Sequence, residues 1–338
     1  MIELKRVENK MITWGIVGNS HDASIAVFKD KKLVWAALAK DFSKVDNDPH
    51  LNPELVNAAK QAGDWRAPDE VIWYEIPYLK SIRQVWAGQG WSGFSENNIP
   101  KYLKQWGITC PIKYAKHHTS HAAYGYYTSK FDDANVLCLD SIGEFETLTM
   151  WAGIGCRLKK VYSQRYPHSV GLFYSAMTQR LGFKANRDEY KVDSLGSSIA
   201  THLNLELINN MVATFIEGEL NGELPGVSFK VNLHKGCNWY KPELTSEEDL
   251  ARLANATQFV FELIVTSCSK WLLKTQSSRN LIVVGGCALN STAIQKIADQ
   301  WENVYIPPNP GDPGSCVGAV LAMDNKHIDF QREMWYNN

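Results

Sequence analysis

Short apolar runs separated by polar turns open the chain. Ile12–Val17 is apolar enough for a buried strand, and a second run, Ala23–Phe28, follows the polar residues 18–22. A turn at 30–32 then leads into a third run, Leu33–Leu38. Short apolar runs bounded by Gly, Asn and Asp are typical of strands in a hydrophobic core. The pattern therefore predicts three consecutive strands joined by tight turns.

The same order of strand, turn and strand recurs further along the chain. Val136–Leu139 is apolar, the turn 140–144 carries a glycine and a carboxylate, and Thr147–Gly153 fits a return strand. Two such halves predict a duplicated α/β fold with two lobes. The expected lobes are residues 12–135 and 136–325, with terminal extensions at 1–11 and 326–338.

Helically spaced apolar residues and further apolar runs predict the remaining elements. Thr245 and Glu248 fit a capping box at the start of the longest predicted helix. Residues 81–100, rich in Trp, Gly and Asn, show no clear periodicity and are expected to form irregular surface. Helices are expected at His117–Tyr127, Thr245–Leu273, Ser291–Ala298 and Cys316–Met323, and further strands at Val71–Tyr74, Leu281–Val284 and Val304–Ile306.

Composition and charge exclude several classes of protein. The 338 residues are 45% hydrophobic, which excludes disorder as the main state, and a net charge of −1 gives no overall basic field for nucleic acid or a membrane surface. No apolar run is long enough to span a bilayer, and the first ten residues lack the apolar core of a signal peptide. Seven scattered cysteines without a C-x-x-C pair disfavour a disulfide framework and a structural zinc site. We therefore expect a cytoplasmic protein with no membrane partner.

The segment 117–121, His-His-Thr-Ser-His, is the sharpest chemical signal. His117 and His121 are four residues apart, so on a helix both imidazoles lie on one face and can reach one cation. The same spacing also suits two histidines that are simply satisfied by hydrogen bonds. The H-E-x-x-H pattern of zinc proteases is absent, which leaves metal-hydroxide proteolysis without support.

Two carboxylates that follow strands or lie in exposed loops are candidate partners for the histidines. Asp140 ends an apolar strand, and Asp312 lies in a Pro- and Gly-rich loop. With the two histidines they would form a mixed nitrogen and oxygen site that suits Fe(II), Mn(II) or Zn(II) better than Ca(II). The alternatives are that Asp140 caps a turn and that Asp312 is an ordinary surface residue.

Glycine turns form a second group of candidates. Gly285 and Gly286 follow a predicted strand, precede a helix, and have Asn290 close behind them. Such a turn lets the backbone approach a phosphate or nucleoside, as could the turn at Gly143. A lone Gly-Gly pair is more often just a tight turn. G-x-G-x-x-G and P-loop patterns are absent, which argues against a Rossmann dehydrogenase or a P-loop kinase.

Several of these segments together resemble the motifs of one family. The chain resembles the O-carbamoyltransferases, the family that includes the nodulation-factor and tobramycin carbamoyltransferases, in motifs that keep their order from about residue 12 to residue 325. The matching segments are 18–24 (GNSHDAS), 117–123 (HHTSHAA), 139–144 (LDSIGE), 167–171 (PHSVG) with Tyr174, Thr178, 181–183 (LGF) and 188–191 (DEYK), and 285–290 (GGCALN).

The resemblance implies a fold, a metal site and a nucleotide site. The fold would be that of the actin-like ATPases, a duplicated ribonuclease-H-like fold shared with the catalytic subunit of tRNA threonylcarbamoyladenosine synthase. A divalent metal, most often iron with manganese and zinc as alternatives, would bridge to nucleotide phosphates. By resemblance the metal ligands are His117, His121, Asp140 and Asp312; the nucleotide-binding residues are Gly285, Gly286 and Asn290, with Asp188 or Glu189 at the ribose; and His21 and Asp22 lie near the carbamoyl group.

The implied reaction moves a carbamoyl group from carbamoyl-adenylate, made from carbamoyl phosphate and ATP, to a hydroxyl of a small acceptor. Sugar- or nucleoside-type acceptors fit, a hydroxymethylated pyrimidine among them, and nucleic acid would be a partner only if the acceptor is a modified base. His21 or a nearby carboxylate would accept the hydroxyl proton. Trp86 and Trp91 can either stack on the acceptor or anchor their loop on the core.

Departures from the family pattern leave two other functions open. Residues 39–46 and 191–196 differ from the family motifs, and members of the family continue into an adenylate-forming domain after the last motif. We therefore expect a separate adenylate-forming subunit, or else a changed activity. The alternatives are a non-catalytic scaffold that binds nucleotide and metal, and a threonylcarbamoyl-transfer subunit acting on tRNA, which the neutral charge disfavours.

Overall fold

The computed structural model describes residues 10–20, 22–197 and 204–336. The strands, in chain order, are β1 (Ile12–Val17), β2 (Ser24–Lys29), β3 (Lys32–Leu38), β4 (Glu70–Trp73), β5 (Ile112–Tyr114), β6 (Asp133–Leu139), β7 (Glu146–Ile154), β8 (Arg157–Arg165), β9 (Ile216–Glu217), β10 (Ser228–Phe229), β11 (Asn280–Val284) and β12 (Asn303–Tyr305).

The α-helices vary from a single turn to the 29 residues of α10. They are α1 (Lys40–Ser43), α2 (Pro53–Ala62), α3 (Pro77–Trp86), α4 (Gly93–Glu96), α5 (Ile99–Lys104), α6 (His117–Thr128), α7 (Val170–Arg180), α8 (Glu189–Ser197), α9 (Leu205–Phe215), α10 (Glu247–Thr275), α11 (Ser291–Ala298) and α12 (Ser315–Asp324). Short 3-10 turns lie at Leu233–Lys235, Gly286–Leu289, Asp312–Gly314 and Arg332–Met334.

The chain divides into two compact units. One comprises the chain through Thr128 and from Asp312 onward, and the other is Ser129–Gly311. Residues 312–325, which we expected in the second lobe, therefore belong to the first unit. The reason is packing, because α12 lies against α6 and β1 of that unit.

A five-stranded sheet in each unit carries the duplication. In the first unit the strand order is β3-β2-β1-β4-β5, with β1, β2 and β3 antiparallel in succession and β4 and β5 parallel to β1. In the second unit β8-β7-β6-β11-β12 repeats this order and these directions. The predicted duplicated α/β fold is confirmed, and two such ribonuclease-H-like sheets constitute the fold of the actin-like ATPases.

Both central strands are apolar because both of their faces are covered. In β1 every residue except Thr13 is buried, and in β6 every residue after Asp133 is buried. Strands buried on two sides lose the alternation of apolar and polar residues and become continuous apolar runs. This explains why these two segments could be recognised from hydropathy alone.

Close contact between helices holds the first unit together. Gly318 of α12 faces the carbonyl oxygen of Ser120 in α6, and a Cβ at position 318 would lie only 1.9 Å from that oxygen. Only glycine lets the two helix backbones come this close. The contact also fixes α6 relative to the loop that precedes α12.

We expect Gly318→Ala to lower the free energy of unfolding by about 3 kcal/mol, because α12 must move away from α6 to accommodate the methyl group. Urea denaturation followed by circular dichroism measures the change. Gly63→Ala is the matched control, since a Cβ there meets its neighbours at 3.4 Å or more and the residue has a φ of −89°. Equal stability of the two variants would contradict the proposed close packing.

The segment 81–100 is helical, and our expectation of irregular surface was wrong. Helix α3 continues to Trp86, and α4 and α5 follow it. The Asn97 side chain at the end of α4 donates hydrogen bonds to Ser81 Oγ and Gln84 Oε1 of α3, both at 2.9 Å, so tertiary contacts join these two helices. Contacts between short helices leave no periodic signal in the sequence.

The two tryptophans of this segment do not anchor it on the core. Trp86 and Trp91 are 61% and 74% exposed, respectively. The interpretation of these residues as buried loop anchors is therefore wrong.

The N-terminus of the longest helix begins one residue later than expected. Ser246, not Thr245, is the N-cap of α10, and its Oγ accepts a hydrogen bond from the backbone N–H of Asp249 at 3.1 Å. The same hydroxyl donates to the Asp249 carboxylate. The capping pair is thus Ser246 with Asp249, and the predicted pair of Thr245 with Glu248 is wrong by one position.

Within the described ranges, no helix combines the length and the apolar character needed to cross a bilayer.

Candidate functional site

The histidine pair lies at the start of α6 and is fully enclosed. Every residue of α6 except Thr119 is buried, so packing on all sides fixes the rings of His117 and His121. Their four-residue spacing places them on one face of the helix, with the two Nε2 atoms 3.1 Å apart. Neither ring is free to turn away toward solvent, because both are almost completely buried.

Asp312 joins the histidines from the loop before α12. Its Oδ1 lies 3.3 Å from Nε2 of His117 and 3.3 Å from Nε2 of His121. Burial by itself would raise the pKa of Asp312, but the two neighbouring imidazoles outweigh burial and hold that pKa well below its ordinary value. Two ring nitrogens and one carboxylate oxygen therefore converge on one point inside the first unit.

Each of the three side chains has an outer partner on a different element. Ser20 Oγ donates to Asp312 Oδ2 at 2.6 Å, Ser315 Oγ lies 3.2 Å from His121 Nδ1, and Glu75 Oε2 lies 3.9 Å from His117 Nδ1. The Nδ1 atoms thus face outward, and the Nε2 atoms face Asp312. Metal-binding histidines typically use one ring nitrogen for the metal and the other for such a partner.

This donor set fits a divalent transition metal. Two imidazole nitrogens and a carboxylate oxygen, buried and already convergent, suit Fe(II), Mn(II) or Zn(II). The structure brings together three of the residues predicted from the sequence, and their role as metal ligands stays a prediction.

Asp140, the fourth predicted ligand, belongs to the second unit. It follows β6, is largely buried, and its Oδ1 accepts a hydrogen bond from the backbone N–H of Gly286 at 3.2 Å. Its assignment as a metal ligand stays a prediction.

The predicted glycine turn lies between β11 and α11. Gly285 has a φ of +91°, and a Cβ at this position would lie 2.2 Å from the carbonyl oxygen of Leu139, so glycine is required twice over. Its N–H donates to Pro310 O at 2.8 Å. The backbone of β11 therefore turns tightly beside the end of β6 before α11 begins.

Asn290 has a structural role in the same turn. Its Oδ1 caps α11 by accepting from the N–H of Ala293 at 3.0 Å, and its Nδ2 donates to Gln258 Oε1 at 2.8 Å. Gln258 is also bonded to the hydroxyl of Tyr174, so a buried polar network fixes this asparagine. Nucleotide binding by Gly285, Gly286 and Asn290 stays a prediction.

The remaining nucleotide candidates are engaged within the second unit. Glu189 Oε1 accepts from Ser175 Oγ at 2.9 Å, and Asp188 pairs with Lys191 at 3.0 Å, a contact that lowers the pKa of Asp188. Gly143 closes the turn between β6 and β7 through its N–H. A role for these residues in binding nucleotide stays a prediction.

Of the two predicted catalytic residues, His21 lies outside the described residues. Asp22 is buried, and its Oδ2 lies 3.1 Å from Nζ of Lys40. Among the described residues its Oδ1 has no hydrogen-bond partner, although that atom is buried. Oδ1 of Asp22 is thus available to accept a hydrogen bond. Lys40, which pairs with the other oxygen, belongs to residues 39–46, the segment that differs from the family motifs.

Sequence reasoning missed the residues behind the histidines. Ser20, Ser315 and Glu75 were not singled out, although Glu75 follows shortly after β4 as Asp140 follows β6. Polar residues beyond the carboxyl ends of central strands often face a ligand site in α/β folds, so this signal was available for Glu75.

Comparison with known proteins identifies the family. The model of the family described as "Carbamoyltransferase N-terminus" matches residues 78–321. The chain belongs to the carbamoyltransferase N-terminal family. This confirms the resemblance seen in the motifs, and the matched range contains the histidine pair, Asp312 and the Gly285 turn, whereas the motif 18–24 precedes it.

Three relatives of this chain are longer proteins. An uncharacterized protein of Synechocystis is 26% identical over 94% of the chain and 58% of its own length. One of Methanocaldococcus jannaschii is 29% identical over 92% of the chain and 57% of its own length. Nodulation protein NolNO of Sinorhizobium fredii is 27% identical over 64% of the chain and 32% of its own length. The chain thus spans 32% to 58% of the lengths of these relatives.

Solved structures resemble this member of the carbamoyltransferase N-terminal family at low sequence identity. Component A of (R)-2-hydroxyglutaryl-CoA dehydratase from Acidaminococcus fermentans is 12% identical, with 93% of this chain and 99% of that chain covered and a TM-score of 0.46. The ROK hexokinase of Thermus thermophilus is 11% identical, with 92% and 98% covered and a TM-score of 0.40.

Proposed function

We propose that this chain transfers a carbamoyl group from carbamoyl-adenylate to a hydroxyl of a sugar- or nucleoside-type acceptor. The observation that carries the proposal is that the buried rings of His117 and His121 converge with the largely buried carboxylate of Asp312 in a member of the carbamoyltransferase N-terminal family. A site built only for stability would gain as much from apolar side chains of similar volume. Two buried histidines and a largely buried aspartate around one point therefore support a metal-dependent activity.

A divalent metal, with iron as the first choice and manganese or zinc as alternatives, would be held by Nε2 of His117, Nε2 of His121 and Oδ1 of Asp312. When bound, the ion would supply positive charge to the phosphate of the adenylate and stabilise the charge that develops there as AMP leaves. Asp140 would add a further carboxylate ligand, as the family motifs predict.

Asp22 is the side chain best suited to accept the proton of the acceptor. The acceptor oxygen attacks the carbamoyl carbon, the bond from that carbon to the phosphate oxygen breaks, and AMP leaves. The proton released from the hydroxyl goes to Asp22 Oδ1, which is buried and has no partner among the described residues. Lys40 holds the other carboxylate oxygen in place, and His21 is the alternative base.

The Gly285 turn would bind the nucleotide. A glycine backbone without Cβ atoms allows a phosphate or nucleoside to approach closely. Carbamoyl phosphate and ATP would supply the carbamoyl-adenylate through an adenylate-forming domain or subunit. The partners are thus a small carbamoyl donor, a hydroxylated acceptor and that activating partner.

An exposed aromatic group on α3, on α4 and on the turn between them would take the ring of the acceptor. Trp91 and Phe94 are stacked with ring centroids 5.9 Å apart, and Tyr78 contacts the edge of Phe94. Helix α4 is joined to the loop of Ser20, since the Asn19 side chain donates to Glu96 O at 3.2 Å. The rings thus adjoin the loop whose Ser20 bonds Asp312.

We expect Trp91→Ala to raise the KM for the acceptor about tenfold with little change in kcat, because stacking on an aromatic side chain contributes roughly 1–3 kcal/mol. Steady-state kinetics with varied acceptor measures the effect. Trp65→Ala is the matched control, since Trp65 is 67% exposed in the same unit but lies after α2. An unchanged KM in Trp91→Ala would contradict acceptor stacking at this surface.

The proposal is tested by supplying the activated donor directly. The purified chain is incubated with authentic carbamoyl-adenylate, Fe(II) and a panel of sugars and nucleosides, and the products are examined by mass spectrometry. A product in which one hydrogen is replaced by a carbamoyl group supports the proposal and identifies the acceptor. Transfer only from threonylcarbamoyl-adenylate to tRNA, or no transfer with an adenylate-forming partner present, would contradict it.

A further inference from the structure

Glu75 is a buried carboxylate directly behind the histidine pair. It lies two residues after β4 and is only 3% exposed. Its Oε1 accepts a hydrogen bond from Lys80 Nζ at 2.7 Å, and Lys80 is itself largely buried on α3. Its Oε2 lies 3.9 Å from Nδ1 of His117. The residue therefore connects an ion pair to one of the candidate metal ligands.

A buried ion pair of this kind is not explained by stability. Removing two charges from water costs about as much as their attraction returns, and well-packed apolar side chains in the same place are often equally stable. Lys80 Nζ lies 2.7 Å from Oε1 of Glu75, so the ammonium pairs with one carboxylate oxygen, and the other oxygen, Oε2, faces the His117 ring. The second oxygen of Glu75 is thus placed where its negative charge acts on His117.

The orientation of the His117 ring indicates what the negative charge of Glu75 does. Nε2 faces His121 and Asp312, whereas Nδ1 faces Glu75. A carboxylate beside Nδ1 favours the tautomer with hydrogen on Nδ1, which leaves the Nε2 lone pair available. The distance of 3.9 Å is longer than a hydrogen bond, and a shift of about 1 Å would close it.

The partner of His117 differs in kind from those of the other two side chains. Ser315 lies beside Nδ1 of His121, and Ser20 donates to Asp312, so both of those partners are neutral hydroxyls. A negatively charged partner polarises an imidazole more strongly than a hydroxyl does. Of the three candidate ligands, His117 is therefore the one whose strength as an electron-pair donor to the metal depends on a neighbouring carboxylate.

We propose that Glu75, held by Lys80, is a positioning residue of the metal centre: its carboxylate fixes the Nδ1–H tautomer of His117 and strengthens Nε2 as a ligand. This inference rests on the proposed function insofar as it needs a metal at His117 and His121. It does not depend on the acceptor or on the carbamoyl chemistry.

The test compares metal affinity, not turnover. Co(II) is titrated into wild-type chain and Glu75→Gln against a competing chelator, and the visible spectrum of bound Co(II) is recorded. We expect Glu75→Gln to bind Co(II) about 10- to 100-fold more weakly, with an altered spectrum, because outer partners of ligand histidines have effects of this size. Glu70→Gln is the matched control, since Glu70 is a largely buried carboxylate of β4 paired with Lys113, and it should bind as wild type.

A second variant keeps the test valid if Glu75→Gln folds poorly because Lys80 is left unpaired. Glu75→Gln combined with Lys80→Met removes both charges of the buried pair and should keep the fold while losing the same affinity. A wild-type affinity and spectrum in either folded variant would overturn the positioning role while leaving the metal centre intact. A wild-type chain that binds no Co(II) at all would overturn the metal centre and the positioning role together.

Discussion

Replacing His117 by alanine should abolish binding of the divalent metal and lower the rate of carbamoyl transfer by at least about a thousandfold. His117 supplies one of two ring nitrogens in the cluster, and its Nε2 lies 3.3 Å from Asp312. Without it one imidazole and the carboxylates remain, which would hold the metal weakly, and positive charge at the adenylate phosphate is lost. Metal content by elemental analysis and turnover with carbamoyl-adenylate measure the two effects.

His118→Gln is the matched control for this experiment. His118 is the next residue of α6 and is equally buried, but it does not belong to the convergent group of ring nitrogens around Asp312. We expect this variant to keep metal and most of its turnover, with thermal unfolding used to check both variants. Unchanged activity of His117→Ala in a complex with an adenylate-forming partner would contradict the proposal that this chain catalyses the transfer, and would favour the scaffold function.

Gly285→Ala should destabilise the second unit by about 3 kcal/mol and weaken nucleotide binding by more than tenfold. A side chain at a φ of +91° is strained by roughly 1 kcal/mol or more, and the added Cβ would also lie 2.2 Å from Leu139 O. The backbone of the turn must therefore move away from β6. Chemical denaturation and equilibrium binding of a fluorescent adenine nucleotide measure the two losses.

Two other glycines separate the causes of this loss. Gly88 has a φ of +78°, and a Cβ added there would have no neighbour within 4 Å. Gly88→Ala therefore measures the backbone strain of a side chain at positive φ without any steric clash of the added Cβ. In Gly286→Ala the new Cβ would meet only Asp140 Oδ1, at 3.2 Å, and we expect only a small loss of free energy of unfolding. Wild-type nucleotide binding by a folded Gly285→Ala variant would contradict the assignment of this turn to the nucleotide.

Local pattern was enough to predict much of the fold. The runs that became β1, β6 and β11 are apolar because both faces of a central strand are covered, and this property is visible in the sequence itself. The spacing of His117 and His121 likewise placed both rings on one face of α6, since helical periodicity is a property of neighbours in the chain.

Contacts between distant parts of the chain could not be predicted in this way. Helices α3 and α4 are joined by the hydrogen bonds of Asn97 to Ser81 and Gln84, and a contact of this kind leaves no periodic pattern in the sequence. Residues 312–325 join the first unit because Gly318 allows α12 to lie against α6, a fit that depends on two backbones meeting in space. The convergence of Asp312 with the histidines follows from that packing, whereas the sequence left Asp312 as either a candidate partner of the histidines or an ordinary surface residue.

The metal centre is tested most directly by locating the metal. Crystals of the chain grown with Fe(II) would be measured at the iron absorption edge. We predict an anomalous peak about 2.0–2.2 Å from Nε2 of His117, Nε2 of His121 and a carboxylate oxygen of Asp312. A metal bound elsewhere, with these three side chains unliganded in a chain that still transfers carbamoyl groups, would contradict the account.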